Sequence, residues 1–182
     1  SPVYDAVSLI KSKLNKKITL IGFAGSPWTV STYMIEGRGS KDHQKTKMFL
    51  ARNPESFNTL ISKITDATVD YLSKQIEAGA DVIKLFDSWA GSLPGSLVEK
   101  YSLKPMKEIA ERLKEIFPYV QIIVFPRGVG PHYTKFSQIK AFDCVALDSN
   151  LPLIWAKDNV QNNIVVQGNL DPSFLVSGGE MM

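Results

Sequence analysis

Hydrophobic and polar positions along the chain follow two patterns: short apolar runs, and longer stretches in which apolar residues recur every three or four positions. Short apolar runs are typical of buried strands, and five occur, at 18–21, 82–86, 122–125, 144–147 and 164–166. The longer spacing, bounded by Ser, Pro and Gly, predicts helices. They are expected at 3–14, from near Thr29, from Ser40 through Leu50, at 54–78, from Pro105 to about 116, briefly before 144, and at 152–160.

Each predicted strand leads into a loop rich in Gly, Pro, Asp, Asn or Ser. Strands that alternate with helices in this way indicate parallel strands joined by helical crossovers. A doubly wound sheet and a (β/α)₈ barrel both fit the pattern. The barrel normally needs about 250 residues, whereas this chain has 182 residues and five strand–loop–helix units. The pattern alone therefore leaves the two architectures open.

Composition narrows the function classes. A chain of 182 residues with 44% hydrophobic residues predicts one globular domain over 1–182. The net charge of +3 is small and evenly spread, so no nucleic-acid partner is expected. No apolar run approaches the ~20 residues of a membrane span, so no membrane partner is expected.

Cys144 is the single cysteine and is interpreted as a small buried hydrophobe. With no disulfide framework and no signal peptide pattern, we expect a cytoplasmic location.

The segment 22–37 is the strongest candidate for chemistry. It follows the first apolar run, contains two glycines and Pro27 that predict a sharp turn, and continues into a helix. Polar groups just past a strand's carboxyl end lie where α/β enzymes place their sites. Tyr33 falls about one turn into that helix, so its hydroxyl is expected to face the turn. A buried tyrosine with a satisfied hydroxyl is the alternative interpretation.

This segment, Gly-Phe-Ala-Gly-Ser-Pro-Trp-Thr followed by Val-Ser-Thr-Tyr-Met-Ile-Glu-Gly, closely resembles the signature of uroporphyrinogen decarboxylases. The resemblance continues in the same order through 86–91, 146–148 and 167–172, and so covers essentially the whole chain. It implies a TIM barrel of which about five of the eight β/α units are present, with the first two strands and the last one absent. The chain is then an internal segment of a longer enzyme.

The resembled family decarboxylates the four acetate arms of uroporphyrinogen III to methyls, which gives coproporphyrinogen III and CO₂. No metal or organic cofactor is implied, because the protonated pyrrole ring accepts the electrons as CO₂ leaves. The partner is the tetrapyrrole substrate, and the full-length protein is expected to be a homodimer.

Two of the family's substrate-binding positions fall on this chain, at Tyr33 and Ser88. Asp87 is expected to cap a helix or orient the loop rather than touch substrate. The family's arginine-rich loop, its aspartate after the second strand and its late histidine do not occur here. No catalytic residue is therefore assigned within this span, and the segment alone is expected to be inactive. Arg38 stands where the family commonly has glycine.

The other candidates are two histidines and one arginine. His43 lies at the polar beginning of a predicted helix and is interpreted as solvated. His132 and Arg127 lie on a loop that follows a predicted strand and are weaker site candidates. The barrel predicts that Tyr33, Ser88, Arg127, Asp148 and Asn169 all lie at one rim.

Two other functions remain as alternatives. The related zinc-dependent methyltransferases share the barrel but need a His-x-Cys pair near 124–126, where this chain has Val-Phe-Pro. A non-catalytic tetrapyrrole-binding protein is the other.

Overall fold

The computed structural model describes residues 1–179, which form a single parallel sheet with its connecting helices. The strands are β1 (Ile21–Gly25), β2 (Val82–Asp87), β3 (Gln121–Pro126), β4 (Cys144–Ala146) and β5 (Val165–Gln167). The helices are α1 (Pro2–Lys13), α2 (Pro27–Glu36), α3 (Gln44–Arg52), α4 (Pro54–Glu77), α5 (Gly95–Val98), α6 (Lys104–Ile116), α7 (Tyr133–Phe136), α8 (Leu153–Asn159) and α9 (Pro172–Ser177). Short 3₁₀ turns occur at Ala90–Ser92 and Gly130–His132, and a π-helical turn at Glu99–Leu103.

The strands lie side by side in chain order, β1-β2-β3-β4-β5, and every neighbouring pair is parallel. The register sets Gly25 beside Phe86 and Phe86 beside Phe125. A doubly wound sheet reverses its strand order at a switch point, whereas a barrel keeps chain order throughout. The strand order therefore favours the barrel.

Burial separates the two faces of the sheet. Alternate strand residues such as Ala24, Leu85 and Val124 are buried in the core beneath the helices. The residues between them face the other way, and Phe23 and Val165 are 60% and 68% exposed. The helices therefore cover one face and leave the opposite face open, as in a barrel cut lengthwise.

The open face is concave. The Lys84 Nζ on β2 donates a hydrogen bond of 2.7 Å to the Gln167 Oε1 on β5. Two strands separate β2 from β5, so this contact requires the sheet to curl with its open face inside. Chain-order parallel strands, helices on the outside and a curled sheet together identify five units of a (β/α)₈ TIM barrel, which confirms the fold class.

Most predicted elements are found, and the largest errors are the position of the first strand and the start of the helix predicted from Ser40. β1 begins at Ile21 rather than at 18, so Gly22 and Gly25 belong to the strand and not to a turn. A Cβ on Gly22 would lie 2.9 Å from the Cβ of Ala80, so the glycine allows close packing of the strand on its neighbours. The helix predicted from Ser40 begins at Gln44, and that predicted from near Thr29 begins at Pro27.

The π-helical turn at Glu99–Leu103 and α9 were not predicted, because short helices carry little periodic signal. Within residues 1–179, none of the helices is both long and apolar enough to cross a membrane. The predicted domain over 1–182 extends beyond the described part, since 180–182 lie outside it.

Candidate functional site

The polar candidates gather at the carboxyl edge of the sheet. Ser88 directly follows β2, Arg127 follows β3, Asp148 lies two residues beyond β4, and Asn169 lies two residues beyond β5. Tyr33 lies on α2, the helix that leaves β1 at the same edge. Because all the strands are parallel, their carboxyl ends form one rim, and the predicted grouping of these five residues is confirmed.

Tyr33 is half exposed rather than buried. Its side chain is 49% exposed and its ring centroid lies 6.3 Å from that of Trp89. Within residues 1–179, the Tyr33 hydroxyl has no hydrogen-bond partner. The alternative interpretation of a buried tyrosine with a satisfied hydroxyl is therefore wrong, and the hydroxyl is available to a ligand.

Ser88 lines a small hollow at the rim, which we call the rim hollow and which has a volume of about 240 Å³. The hollow is lined by Ser88, Trp89, Gly91, Ser92, Arg127, Gly128, Asp148 and Asn150. Tyr33 lies outside this lining, and Trp89 connects the two sites, because it follows Ser88 in the chain and packs against the Tyr33 ring.

Asp87 sets the position of the loop that carries Ser88. Its buried carboxylate accepts hydrogen bonds of 2.6 Å from the Thr29 hydroxyl and 2.6 Å from the Ser102 hydroxyl. The Thr29 oxygen in turn accepts a bond from the Trp89 backbone N–H at 3.2 Å. Burial raises the pKa of Asp87 to about 6, and the hydroxyl donors oppose the rise. These bonds confirm the interpretation of Asp87 as a loop-orienting residue.

Asp148 joins three rim loops. Its Oδ2 accepts hydrogen bonds from the Gly128 N–H at 2.9 Å and from the Tyr133 hydroxyl at 3.0 Å. Its Oδ1 accepts the Asn150 N–H at 3.0 Å, and its backbone oxygen accepts the Asn169 side-chain amide at 2.8 Å. Burial, followed by the nearby Asp148 charge, raises the pKa of Tyr133, so this phenol stays protonated and donates. Asn169 thus links the segment after β5 to the loop after β4.

The concave face carries a row of aromatic rings that the sequence interpretation missed. Phe23, Phe86 and Phe125 lie on adjacent strands with edge-to-face contacts, at centroid distances of 5.8 and 6.1 Å. Below them the Lys84 Nζ lies 4.9 Å from the Phe86 ring centroid, and burial lowers the pKa of this ammonium group. The alternation of buried and open strand positions was the sequence signal that could have revealed this row. It predicts that the three rings meet only when the sheet is already known to curl.

His43 is buried rather than solvated, and the earlier interpretation is wrong. Its side chain is 2% exposed and its ring centroid lies 5.0 Å from that of Trp89. The Ser40 hydroxyl oxygen accepts the His43 N–H at 3.1 Å, which turns the loop inward. Neither ring nitrogen has a hydrogen-bond partner among the described residues, and burial lowers the pKa of the imidazole. The residue therefore packs as a neutral ring behind Trp89.

Cys144 and His132 are peripheral to the rim hollow. Cys144 is partly rather than fully buried and lies on the strand β4, where burial raises the pKa of the thiol. His132 is also partly buried, and its Nε2 is the nearest atom, at 3.2 Å, to a Cβ built on Gly95. No group of three or more His, Cys, Asp or Glu side chains suited to a metal ion occurs within residues 1–179.

Comparison with known proteins agrees with this geometry. Residues 1–182 match the family model described as uroporphyrinogen decarboxylase (URO-D). The chain is 51% identical over 180 residues to uroporphyrinogen decarboxylase of Paracoccus denitrificans, covering 99% of this chain and 53% of that protein. It is 48% identical over 182 residues to the enzyme of the same name from a Jannaschia species, again over 53% of its length. The chain thus spans about half the length of these curated relatives.

A solved structure shares the fold at much lower identity. A methyltransferase from Methanosarcina mazei superposes with a TM-score of 0.79, covering 92% of this chain and 48% of that one, at 16% identity. At this level of identity the likeness shows the fold alone.

Proposed function

Because this chain belongs to the uroporphyrinogen decarboxylase family, we propose that it contributes five β/α units to an enzyme that decarboxylates uroporphyrinogen III. The four acetate side chains become methyls, four CO₂ are released and coproporphyrinogen III is the product. The observation that carries the proposal is the match of all 182 residues to the family, together with sequence identities of 51% and 48% to two curated members.

The reaction needs a proton donor and a site that stabilises a cation. A proton added to a pyrrole carbon places positive charge on the ring, and the electrons of the C–CO₂⁻ bond flow into that ring as CO₂ leaves. A second proton then replaces the carboxylate on the methylene carbon, and the first proton leaves the pyrrole carbon, which restores the neutral ring. The substrate therefore acts as its own electron acceptor, and the protein supplies orientation, protons and exclusion of water.

The described residues suit the binding part of this work. The free hydroxyl of Tyr33 and the hydroxyl of Ser88 each donate to a substrate carboxylate, and such a bond contributes roughly 1.5–3 kcal/mol. The aromatic row of Phe23, Phe86 and Phe125 offers an apolar surface on the concave side of the same rim. A flat, partly apolar macrocycle with charged arms fits a site that combines these two features.

The finer assignments belong to the same proposal. The substrate-binding residues on this chain are Tyr33 and Ser88, the full-length protein is a homodimer, and it acts in the cytoplasm without a cofactor. Light scattering of the full-length protein measures its mass, and a monomer would contradict the dimer.

The alternative of a zinc-dependent methyltransferase has no observation in its favour here. The strand end at 124–126 presents Val, Phe and Pro, which provide no thiolate or imidazole ligand. A binding protein without chemistry remains the second candidate, since the aromatic row and the two hydroxyls serve binding as well as turnover.

The experiment uses the full-length protein, incubated anaerobically with uroporphyrinogen III with and without a chelator. Chromatography of the oxidised porphyrins is expected to show stepwise loss of carboxyl groups, ending at the tetracarboxylate, in both samples. Binding without any loss of carboxyl groups would favour the non-catalytic candidate. Activity abolished by the chelator would contradict cofactor-free chemistry.

A further inference from the structure

The backbone of Arg127 is held on both sides. Its N–H points to two acceptors, the backbone oxygens of Asp87 and Phe125, each at 3.1 Å. Its own carbonyl accepts the Gly91 N–H at 2.9 Å. Arg127 is therefore clamped between the loop after β2 and the end of β3, and its Cα has little freedom to move.

The next residue, Gly128, links this segment to a third loop, the one after β4. The Gly128 N–H donates to the Asp148 carboxylate at 2.9 Å. The loops touch so closely that a Cβ on Gly91 would lie 2.6 Å from the Gly128 oxygen. A long side chain that starts from such a rigid base loses less entropy on binding than one on a mobile loop.

The guanidinium of Arg127 has no anionic partner among residues 1–179. Its side chain is exposed and lines the rim hollow with Ser88 and Asp148, yet it forms no ion pair within residues 1–179. By contrast, Arg112 on α6 pairs with Asp66 at 2.7 Å.

The one carboxylate in the hollow is already occupied. Asp148 accepts three hydrogen bonds, from the Gly128 N–H, the Tyr133 hydroxyl and the Asn150 N–H. Those donors stabilise its charge without the guanidinium. Arg127 thus starts from a held backbone, lines the same hollow as Ser88 and has no ion-pair partner within residues 1–179. A planar guanidinium pairs with a carboxylate through two parallel bonds.

We propose that Arg127, together with Ser88, binds a carboxylate arm of the substrate that is retained while another arm reacts. This inference rests on the proposed function and adds a binding residue to it. A carboxylate paired with arginine is stabilised in the ground state, and that stabilisation is lost as its electrons move into the ring. Arg127 therefore holds an arm that stays ionised and fixes the orientation of the macrocycle above the aromatic row.

The test compares full-length wild type with Arg127→Met and Arg127→Lys, and uses Arg112→Met as the matched control on the outer surface. The Michaelis constant and kcat are measured with uroporphyrinogen III, and the dissociation constant of the stable octacarboxylate uroporphyrin is measured by fluorescence. Arg127→Met is expected to raise KM and the dissociation constant about tenfold. Its kcat is expected to stay within about twofold of wild type, because the bond is present in both ground and transition states.

Arg127→Lys keeps the charge but loses the paired geometry, so a smaller rise in both constants is expected. Arg112→Met is expected to match wild type in both constants. Circular dichroism and thermal melting of each variant check that it is folded. If Arg127→Met does not fold, the lysine variant carries the test.

Each result separates this inference from the proposed function. Turnover by the wild type with unchanged constants in both Arg127 variants overturns the inference and leaves the function standing. Wild-type binding of uroporphyrin that weakens in Arg127→Met, without any turnover, supports the inference and overturns the decarboxylase assignment. Neither turnover nor binding by the folded wild type overturns both.

Discussion

Asp87 is a carboxyl group enclosed by protein, and its environment favours the protonated form. Its folded-state pKa of about 6 lies above the ordinary value of 3.8, so the folded protein binds this proton more tightly than the unfolded chain does. Its contribution to the free energy of unfolding is therefore fully present below about pH 4 and is lost as pH rises towards about 6. A difference of about two pKa units corresponds to roughly 3 kcal/mol.

We expect Asp87→Asn to remove this part of the pH dependence, since the amide has a similar shape and does not titrate. Urea unfolding of the full-length protein and the variant, at several pH values between 4 and 7, measures the difference. The wild type is expected to lose stability relative to the variant as pH rises through this window. Two curves that run parallel would show that the carboxyl does not titrate there.

The pKa shift of His43 has the opposite sign to that of Asp87. Burial lowers the pKa of the imidazole, with Lys47 adding to the effect and Glu36 and Asp42 opposing it. The folded protein therefore binds this proton less tightly, and stability is lost as pH falls below the ordinary histidine value of 6.5.

We expect His43→Phe to flatten the pH dependence below about 6.5 and to leave stability at neutral pH unchanged or higher by up to about 1 kcal/mol. The reason is that neither ring nitrogen has a hydrogen bond to lose. Thermal melting at pH 5 and pH 7.5 measures this, with His132→Gln as the control at a partly buried histidine. A large loss of stability at neutral pH would mean that a ring nitrogen is bonded.

Substitution of Tyr33 distinguishes a binding role of its hydroxyl from a structural one. Its hydroxyl has no partner among the described residues and its ring is half exposed, so Tyr33→Phe is expected to leave the melting temperature unchanged. In the full-length enzyme kcat/KM is expected to fall about fivefold to tenfold, since one hydrogen bond to a charged acceptor is lost. Tyr119→Phe is the control, because Tyr119 is 94% exposed and lies before β3, at the opposite edge of the sheet. An unchanged rate with a lower melting temperature would assign the Tyr33 hydroxyl a structural role.

At the scale of elements, the rim depends on two loops that touch through glycine. A Cβ on Gly91 would lie 2.6 Å from the Gly128 backbone oxygen, so Gly91→Ala forces the loops after β2 and β3 apart. Overpacking of this kind costs about 1–3 kcal/mol. Because Ser88 and Arg127 lie on these two loops, kcat/KM is expected to fall with stability.

Gly39→Ala is the matched control, since a Cβ there meets nothing within 4 Å. We expect it to change stability by less than about 0.5 kcal/mol. Denaturant unfolding and steady-state kinetics of both full-length variants measure the two effects. Equal behaviour of the two variants would show that the loops adjust without cost.

The strands were the elements best predicted from sequence. Apolar runs located β2 to β5 within one or two residues, and the three-to-four spacing located α4 almost completely. β1 was displaced because its glycines were taken for a turn. Gly22 lies in the strand where α4 and its following loop approach closely, and such packing has no local signal.

For the whole molecule, the described sheet leaves the outer edges of β1 and β5 without a neighbour, and its concave face is open. Unpaired edges beside exposed apolar side chains favour association. We expect the 182-residue chain alone to be poorly stable, to associate and to lack decarboxylase activity. Gel filtration with light scattering over a range of concentrations, together with thermal melting, measures this against the full-length protein. A monomer that melts cooperatively would contradict it.

The amino-acid sequence by itself determined the alternation of strands and helices, the parallel sheet and the rim to which Ser88, Arg127 and Asp148 belong. These features follow from local periodicity and from the rule that parallel strands share one carboxyl edge. The family resemblance, carried by segments such as 22–37, added the choice of barrel and the function to be tested.

Only the tertiary structure decided which side chains meet. His43 is buried because Trp89, from a distant loop, covers it. The Arg127 backbone is fixed by bonds to Asp87 and Gly91, and the next residue, Gly128, donates to Asp148, so the bonds join three strand ends. The aromatic row exists only where the sheet curls. Such contacts join residues far apart in the chain, and no local pattern records them, because burial and hydrogen bonding depend on the neighbours that the fold brings together.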